Sequence, residues 1–585
     1  MTQNQFNRKN TIRNSSILLL SGIGLIVCIT VLFPQTRRMI MDMAAHIMHR
    51  EASTYQSWLI ALFSYAMGGI CLILFFDYCT LTQSGKALVQ KVSREVKDCL
   101  SEIDFRSFLK PGLLIFGVYL LGILTIIRAN FTYLDDLGRT VTGGRGWYGW
   151  SRYVSEFSSI IVHGDTNLTD ISPLPQLLAI LILSVSSVLF VYVIGKRKIT
   201  TVRLLASVPL GLSPYFLECL AYKFDAPYMA LSILACIVPF LFITRKKAFI
   251  FTSVVSLLVM CMTYQAVSGV YALIAILLGF QDWNSRKKSN KEIFSFLGIA
   301  AVAFCFAMLL FRFFLMKPVD DYASTAMLPL PHIVTGILNN IKNYVLIVNH
   351  DWGIVWKVGI ALVILFFIIK STCQSAQKRI LSFFVSILVL GISFILSYGL
   401  YSLLATPLFL PRSLIGFGVF LAILCIYVVS DYKKTAIVTV LALNWCLLVF
   451  AFSYGNALAD QARYAEFRIT MLLHDLSNLY PNLNQNNRIL QLKNSIDFAP
   501  TIKNIAKNDP IIERLVPKRL AEDYCWENYY FTEHFNFIRY RKLDIENVTD
   551  GNHIDFSTLN LPVVLDSYYH TIQSDGNRIL VVLKH

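Results

Sequence analysis

The run FIFTSVVSLLVMCMTYQAVSGVYALIAILLGF, residues 249–280, decides how the chain is read. Its 32 residues are too many for one membrane span and few for two, because about 20 residues cross a hydrocarbon core of ~30 Å. Charge settles the choice. Arg245, Lys246 and Lys247 precede the run, and Arg286, Lys287, Lys288 and Lys291 follow it. Basic clusters beside spans stay in the cytoplasm. Both ends of the run therefore share a side, and the run is expected to be a tight hairpin turning near Tyr264 and Gln265.

The same pattern extends in both directions. Apolar runs recur near 17–33, 58–76, 112–128, 175–195, 204–220, 227–244, 294–316, 353–370, 380–403, 413–430 and 435–453, which with the two halves of the hairpin makes about thirteen spans. With the amino terminus inside (Arg8, Lys9, Arg13), every cytoplasmic loop is basic. These loops are 77–111, Lys196/Arg197/Lys198/Arg203, the two clusters above, Lys370/Lys378/Arg379 and Lys433/Lys434. The first run reads as a retained anchor rather than a signal peptide, since no small-residue cleavage site follows Phe33 and Arg37-Arg38 come soon after. Composition agrees: 55% of the 585 residues are hydrophobic, 15% are charged and the mean hydropathy is +0.57, whereas soluble domains carry roughly 25% charged residues. The expected fold class is an all-α polytopic membrane protein, multi-pass in a bacterial inner membrane. The net charge of +16 is spread over short inter-span clusters, which argues against a nucleic-acid partner.

Three loops, 34–57, 129–174 and 317–352, and the carboxyl tail then project outward. Met39, Ile40, Met43, His46 and Ile47 give the first loop the spacing of a surface-lying amphipathic helix. The cytoplasmic stretch 86–108 has the same character. The division expected is a transmembrane domain over 1–453 and a periplasmic domain over 454–585. The tail is polar, with a helix around 459–479. Val563–Tyr569 and Ile579–Leu583, either side of the turn signal Asp575-Gly576, read as a hairpin, so a small α+β domain is expected. Only Cys525 of the twelve cysteines lies in that tail, so no disulfide framework and no Cys/His zinc spacing is indicated. Walker A, dinucleotide-fingerprint and HExxH sequences are absent too.

The polar residues with chemical potential gather in the outward segments. Loop 129–174 carries Asp135-Asp136, Arg139 and Arg145, then Gly146-Trp147-Tyr148-Gly149-Trp150. A carboxylate at a membrane surface can take a proton from an incoming hydroxyl, and arginines neutralise phosphate with bidentate geometry. The plainer alternative is a polar loop whose Asp pair caps a helix. Glu218 and Asp225 lie at another outward turn, where acids near span ends are functional candidates or simple anchors. Tyr264, Gln265 and Arg412 lie at outward helix ends, and Arg412 suits either phosphate recognition or snorkelling. His163 and Asp165 complete the loop, a lone loop histidine more often being structural.

Taken in order, Tyr133-Leu134-Asp135-Asp136-Leu137-Gly138-Arg139 with the Gly-Trp segment, Asp170-Ile171-Ser172-Pro173-Leu174, Pro214-Tyr215-Phe216-Leu217-Glu218 through Tyr222-Lys223-Phe224-Asp225, and Tyr454-Gly455-Asn456-Ala457 resemble the bacterial serotype-converting O-antigen glucosyltransferases. The resemblance covers roughly 110–480. It implies a GT-C-like membrane glycosyltransferase that moves glucose from undecaprenyl-phosphate glucose to the O-antigen of lipopolysaccharide in the periplasm, inverting the anomeric centre with an Asp base. Asp135 and Asp136 match the family's acidic pair, and replacing either by Asn is expected to abolish transfer. Glu218 and Asp225 match its second acidic motif and are given positioning roles, with Tyr264, Gln265 and Trp147 beside them. Arg139, Arg145 and Arg412 are assigned to the donor phosphate on chemical grounds. No cofactor is implied, with a divalent metal left open. The alternatives are an O-antigen polymerase, which needs no monosaccharide donor, and a lipid-linked sugar flippase. The absence of an internal repeat and the gathering of acids at one face weigh against the flippase.

Overall fold

The computed structural model describes residues 83–317, 324–431, 433–480, 488–520, 543–545 and 554–584. The expected spans 17–33 and 58–76, and the 34–57 helix between them, lie outside the described residues. The chain divides into two compact units. One comprises residues 1–104, 239–258 and 302–317, and the other residues 105–238, 259–301 and 318–585. In the first, the expected helix after the second span is present as Gln83–Ser101, and Glu95 accepts a hydrogen bond from Ala248 N at 3.2 Å. Every candidate site residue lies in the second unit.

The protein is mostly helical. Among the described residues, seven helices are long and apolar enough to cross a membrane: Phe105–Ala129, Leu174–Ile194, Gln265–Asn284, Asn290–Leu315, Ile354–Cys373, Arg379–Leu396 and Lys434–Leu479. Of the other apolar runs, 204–220 is a broken pair, Thr201–Leu212 and Pro214–Ala221, bent by 62°. The helices Ala226–Phe242, Ile415–Asp431 and Lys246–Cys261 are shorter than a full span. The 249–280 run is two helices rather than one, the chain leaving helix after Cys261 and re-entering it at Gln265.

The break in the pair follows from its sequence. A proline drives the residue before it out of the helical region and cannot donate to the preceding turn. Ser213 is accordingly extended (φ −62°, ψ 144°), and Pro214 restarts the helix in its first turn. All eight residues of Pro214–Ala221 are buried. Against the pair packs Ile415–Val428, buried along its whole length. Gly418 permits that approach, since a Cβ there would run into Ser213.

The expected span 435–453 and the expected tail helix around 459–479 are a single 46-residue helix, Lys434–Leu479. Nothing in Tyr454-Gly455-Asn456-Ala457 interrupts it, because Gly455 has a packing role. A Cβ at Gly455 would overlap the Thr125 backbone, and Thr125 Oγ1 donates to Ala451 O at 3.2 Å. Small residues let apolar helices approach this closely. The far end of the helix backs a five-stranded sheet with β1 (Arg488–Lys493), β2 (Leu543–Ile545), β3 (Val563–Asp566), β4 (His570–Ser574) and β5 (Arg578–Leu583), in the order β2-β1-β5-β4-β3. β1 runs parallel to both neighbours, and β3, β4 and β5 are antiparallel. Ile469, Leu472 and Leu476 from the helix share a core with Leu490, Ile572, Ile579 and Val581. The Asp575-Gly576 turn joins β4 to β5, with Gly576 at φ +100°. The hairpin partner of β5 is thus 570–574, and Val563–Asp566 is the strand beyond it.

Candidate active site

The acidic loop begins where the Phe105–Ala129 span ends on left-handed Asn130 (φ 46°). Leu134, at φ +35°, turns the chain into the short helix Asp135–Thr142. Both aspartates therefore stand in a first helical turn, where the helix dipole favours negative charge. Neither aspartate caps the helix, whose cap position is Leu134 with no side-chain cap hydrogen bond, and the environments of the two differ. Asp136 is completely buried. Its Oδ2 accepts from Lys223 N at 2.8 Å, while Oδ1 has no donor among the described residues. Burial pushes its carboxyl well above the usual carboxylate range, outweighing the Lys223 hydrogen bond and the Arg139 charge. Asp135 is only half-buried, and its charge is felt at both Arg139 and Arg412.

The second acidic motif closes around the first. Pro214–Ala221 carries Glu218, whose Oε1 accepts from Arg412 Nη1 at 2.9 Å, and Arg412 N donates to Oε2. The Tyr133 hydroxyl, two residues before Asp135, lies 3.3 Å from Glu218 Oε1 and 2.7 Å from the Leu515 carbonyl. Asp225, at the start of Ala226–Ile237, takes Arg139 Nη1 on Oδ2 and Trp147 Nε1 on Oδ1. The Arg139 guanidinium also sits 4.5 Å above the Trp147 ring. Lys223 adds a further tie, its Nζ reaching Asp170 Oδ2 at 2.8 Å. Against the cost of partial burial, Lys223 and Ser172 hold the Asp170 carboxyl below its usual range.

Tyr264 and Gln265 belong to the same assembly, the Tyr264 hydroxyl donating to Arg412 O at 3.2 Å and Gln265 Nε2 to Trp150 O at 3.3 Å. Arg145 pairs with Glu156 instead, at 3.2 Å. His163 stacks on Phe224 at 5.5 Å, and Asp165 accepts from its neighbour Thr166; both fix the loop. Among the described residues no cluster of His, Cys, Asp and Glu is arranged to hold a metal ion.

Two cavities adjoin this network. One, of about 480 Å³, is lined by Asn130, Asp170, Ser172, Gln176 and Lys223 with apolar groups from the span ends. The other, of about 640 Å³, is lined by Leu346, Ile347 and Pro407–Leu410, with His350, Asp351 and Arg514 at its polar edge. There Asp351, fully buried, accepts from Tyr215 OH at 3.0 Å and pairs with Arg514. Tyr215 and Glu218 are neighbours at i, i+3 on one short helix.

Sequence reasoning gave no role to Asp170, Lys223, Asp351 or Arg514. Asp170 and Lys223 were visible inside the quoted motifs. Asp351 and Arg514 stand in segments without any recognisable pattern. The tail reaches the loop as well, for Arg519 donates to Thr132 O at 2.5 Å and lies 4.2 Å over the Phe131 ring.

The Glucosyl transferase GtrII family model matches residues 124–429, just over half of the chain and the whole stretch from the acidic loop to Arg412. An uncharacterized 55.3 kDa protein in the gtrB 5′ region of Salmonella phage P22 is 23% identical over 465 residues, covering 74% of this chain and 91% of that protein. No solved structure matches. With its acids and arginines converging inside the matched stretch, this chain belongs to the GtrII glucosyl transferase family.

Proposed function

We propose that this glucosyltransferase takes glucose from undecaprenyl-phosphate glucose and places it, with inversion, on an O-antigen repeat of lipopolysaccharide at the periplasmic face of the inner membrane. Asp135 is the general base. An acceptor hydroxyl attacks the anomeric carbon and loses its proton to the Asp135 carboxylate. The bond from that carbon to the phosphate oxygen breaks with its electron pair staying on the phosphate, which leaves as undecaprenyl phosphate.

The observation that carries this reading is the contrast within the acidic pair. A base must be ionised and reachable. Half-buried Asp135 lies beside Arg139 and Arg412, whereas Asp136 is sealed in and driven toward its neutral form. Asp136 instead ties the loop to Lys223, and Glu218 and Asp225 fix Arg412 and Arg139. The two cavities support the substrates named: the apolar one suits a polyprenyl chain, the polar one a glycan. Sidedness rests on the basic loops, and the periplasmic tail would roof the site through Leu515 and Arg519.

The test is transfer by the purified protein in lipid nanodiscs, supplied with undecaprenyl-phosphate glucose and O-antigen. Asp135→Asn should lower kcat by roughly 10²–10⁴-fold, the usual value of general-base help. Full transfer by Asp135→Asn, or none by the wild type from this donor, would remove the reading.

A further inference from the structure

Charge counting among the arginines of loop 129–174 and those expected at the donor phosphate singles out one residue. Three arginines expected to meet the donor phosphate are each committed to a carboxylate: Arg139 to Asp225, Arg145 to Glu156 and Arg412 to Glu218. Arg514, at the apolar cavity, is committed to Asp351. Arg152 is different. Glu156 stands four residues on, the spacing at which a helical ion pair forms, yet its Oε1 is taken by Arg145 and its Oε2 accepts from Tyr148 N at 3.0 Å. No carboxylate among the described residues pairs with Arg152, and its Nε is buried without a hydrogen-bond acceptor. The charge of Arg152 therefore has no counter-ion among the described residues and is available to an anion from outside the chain.

Its position is fixed by the ring beneath it. The Arg152 guanidinium carbon lies 4.9 Å from the centroid of Tyr264, whose hydroxyl bonds to the backbone of Arg412. Backbone bonds hold the same segment, Arg152 N donating to Trp147 O at 3.1 Å and Val154 N to Met262 O at 3.1 Å. Stacking of this kind restrains the guanidinium plane while leaving its edge donors free to grip two oxygens at once. Arg152 itself is half-buried, so a ligand can reach it. One tyrosine thus separates a saturated arginine from an unsaturated one.

We propose that Arg152 binds the phosphate of the lipid donor and takes up the charge that develops when the sugar leaves. This rests on the glucosyl transfer proposed above. A phosphodiester carries one negative charge, and the departing phosphate carries more, so an uncompensated cation acts more strongly in the transition state than in the ground state. The already neutralised Arg412 and Arg139 then serve as a rigid frame.

The experiment compares wild type, Arg152→Ala and Arg152→Lys in nanodiscs of phosphatidylethanolamine and of phosphatidylglycerol, measuring kcat and KM for undecaprenyl-phosphate glucose and inhibition by undecaprenyl phosphate. Arg152→Ala should lose roughly 10²–10³-fold in kcat, as removal of one charge-stabilising donor does. It should also lose sensitivity to undecaprenyl phosphate and regain part of its rate with added guanidinium. Arg152→Lys should fall between the two, which keeps the test informative if the Ala variant does not accumulate. An active wild type with variants within about twofold of it overturns the Arg152 assignment alone. A loss that follows nanodisc composition and leaves undecaprenyl phosphate inhibition intact overturns it too, marking Arg152 as a headgroup anchor. A wild type inactive with this donor overturns both proposals.

Discussion

The polar and the apolar cavity are reached from one short helix. On Pro214–Ala221, Glu218 ties to Arg412 and Tyr133, and Tyr215, three residues earlier, ties to Asp351 and Arg514. The network on the Glu218 side runs by way of Asp136 and Lys223 to the polar cavity. The Tyr215 side opens on leucines, an isoleucine and Phe409. The difference shows how a helix of eight residues can serve two solvents. The buried acid on it, Glu218, and the buried acid against Tyr215, Asp351, are each matched by an arginine, and the walls of each cavity then set what it admits. Removing one member of a pair should therefore cost more than altering a wall.

The largest such effect is expected at Asp351–Arg514. Asp351 is fully buried, and burial raises its carboxyl even with Arg514 opposing. Breaking a buried pair by removing one partner costs about 3–5 kcal/mol, whereas replacing both with apolar groups is often neutral. Arg514→Ala should lower the protein's thermal stability in detergent and expose residues around 514 to protease. The double change Asp351→Leu with Arg514→Met should recover most of that loss. A double variant as unstable as the single one would show that the pair matters for something other than neutralisation.

That pair also marks where the sequence stopped being legible. Apolar runs and basic clusters locate helices well, because burial in lipid and charge at its border act locally. They also found the turn at Tyr264, whereas 204–220 read as one unbroken run although Ser213-Pro214 carries the break. The acids converge because they lie at the ends of neighbouring helices, which order along the chain reveals. Partner choice is not local. Arg139 takes Asp225, 86 residues away, and Arg145 takes Glu156. β1 pairs with strands some fifty and ninety residues further on. The long helix was divided at Tyr454 because polarity changes there, but helicity does not depend on the solvent outside. Among the described residues, Ala226–Phe242 and Ile415–Asp431 answer to expected spans but are apolar yet short, and protein surrounds them.

Asp136 gives the next effect, and its pH dependence carries the sign. A carboxyl whose value is raised by folding binds its proton more tightly in the native state. Its contribution to stability is complete below the usual carboxylate range and is lost as pH rises through its own raised value. Asp136→Asn keeps an oxygen for Lys223 N and cannot ionise. It should flatten the fall in thermal stability with rising pH, and it should cost less than about tenfold in kcat, under ~1.4 kcal/mol. This is milder than the loss first expected for either aspartate. A rate loss matching that of Asp135→Asn would make Asp136 the base and reverse the assignment within the pair.

The smallest effects should come from the cavity walls, and they divide the two substrates. Gln176 is 4% exposed on the wall of the polar cavity, and its Oε1 has no donor among the described residues. A sugar hydroxyl could supply one. A net hydrogen bond is worth about 0.5–1.5 kcal/mol, so Gln176→Leu should raise KM for the O-antigen acceptor roughly two- to tenfold. Its KM for the lipid donor and its kcat should stay near wild type. In the apolar cavity, Ile347→Trp would fill space without adding charge. It should raise KM for the full-length undecaprenyl donor and spare a short-chain analogue, because only the long chain needs the volume, and acceptor KM should not move. Measuring both constants for both variants tests the comparison directly. If Gln176→Leu weakens the donor and Ile347→Trp the acceptor, the cavities have been assigned the wrong way round. If each variant shifts both constants equally, the two cavities are a single compartment, and the short helix between Tyr215 and Glu218 does not divide lipid from sugar.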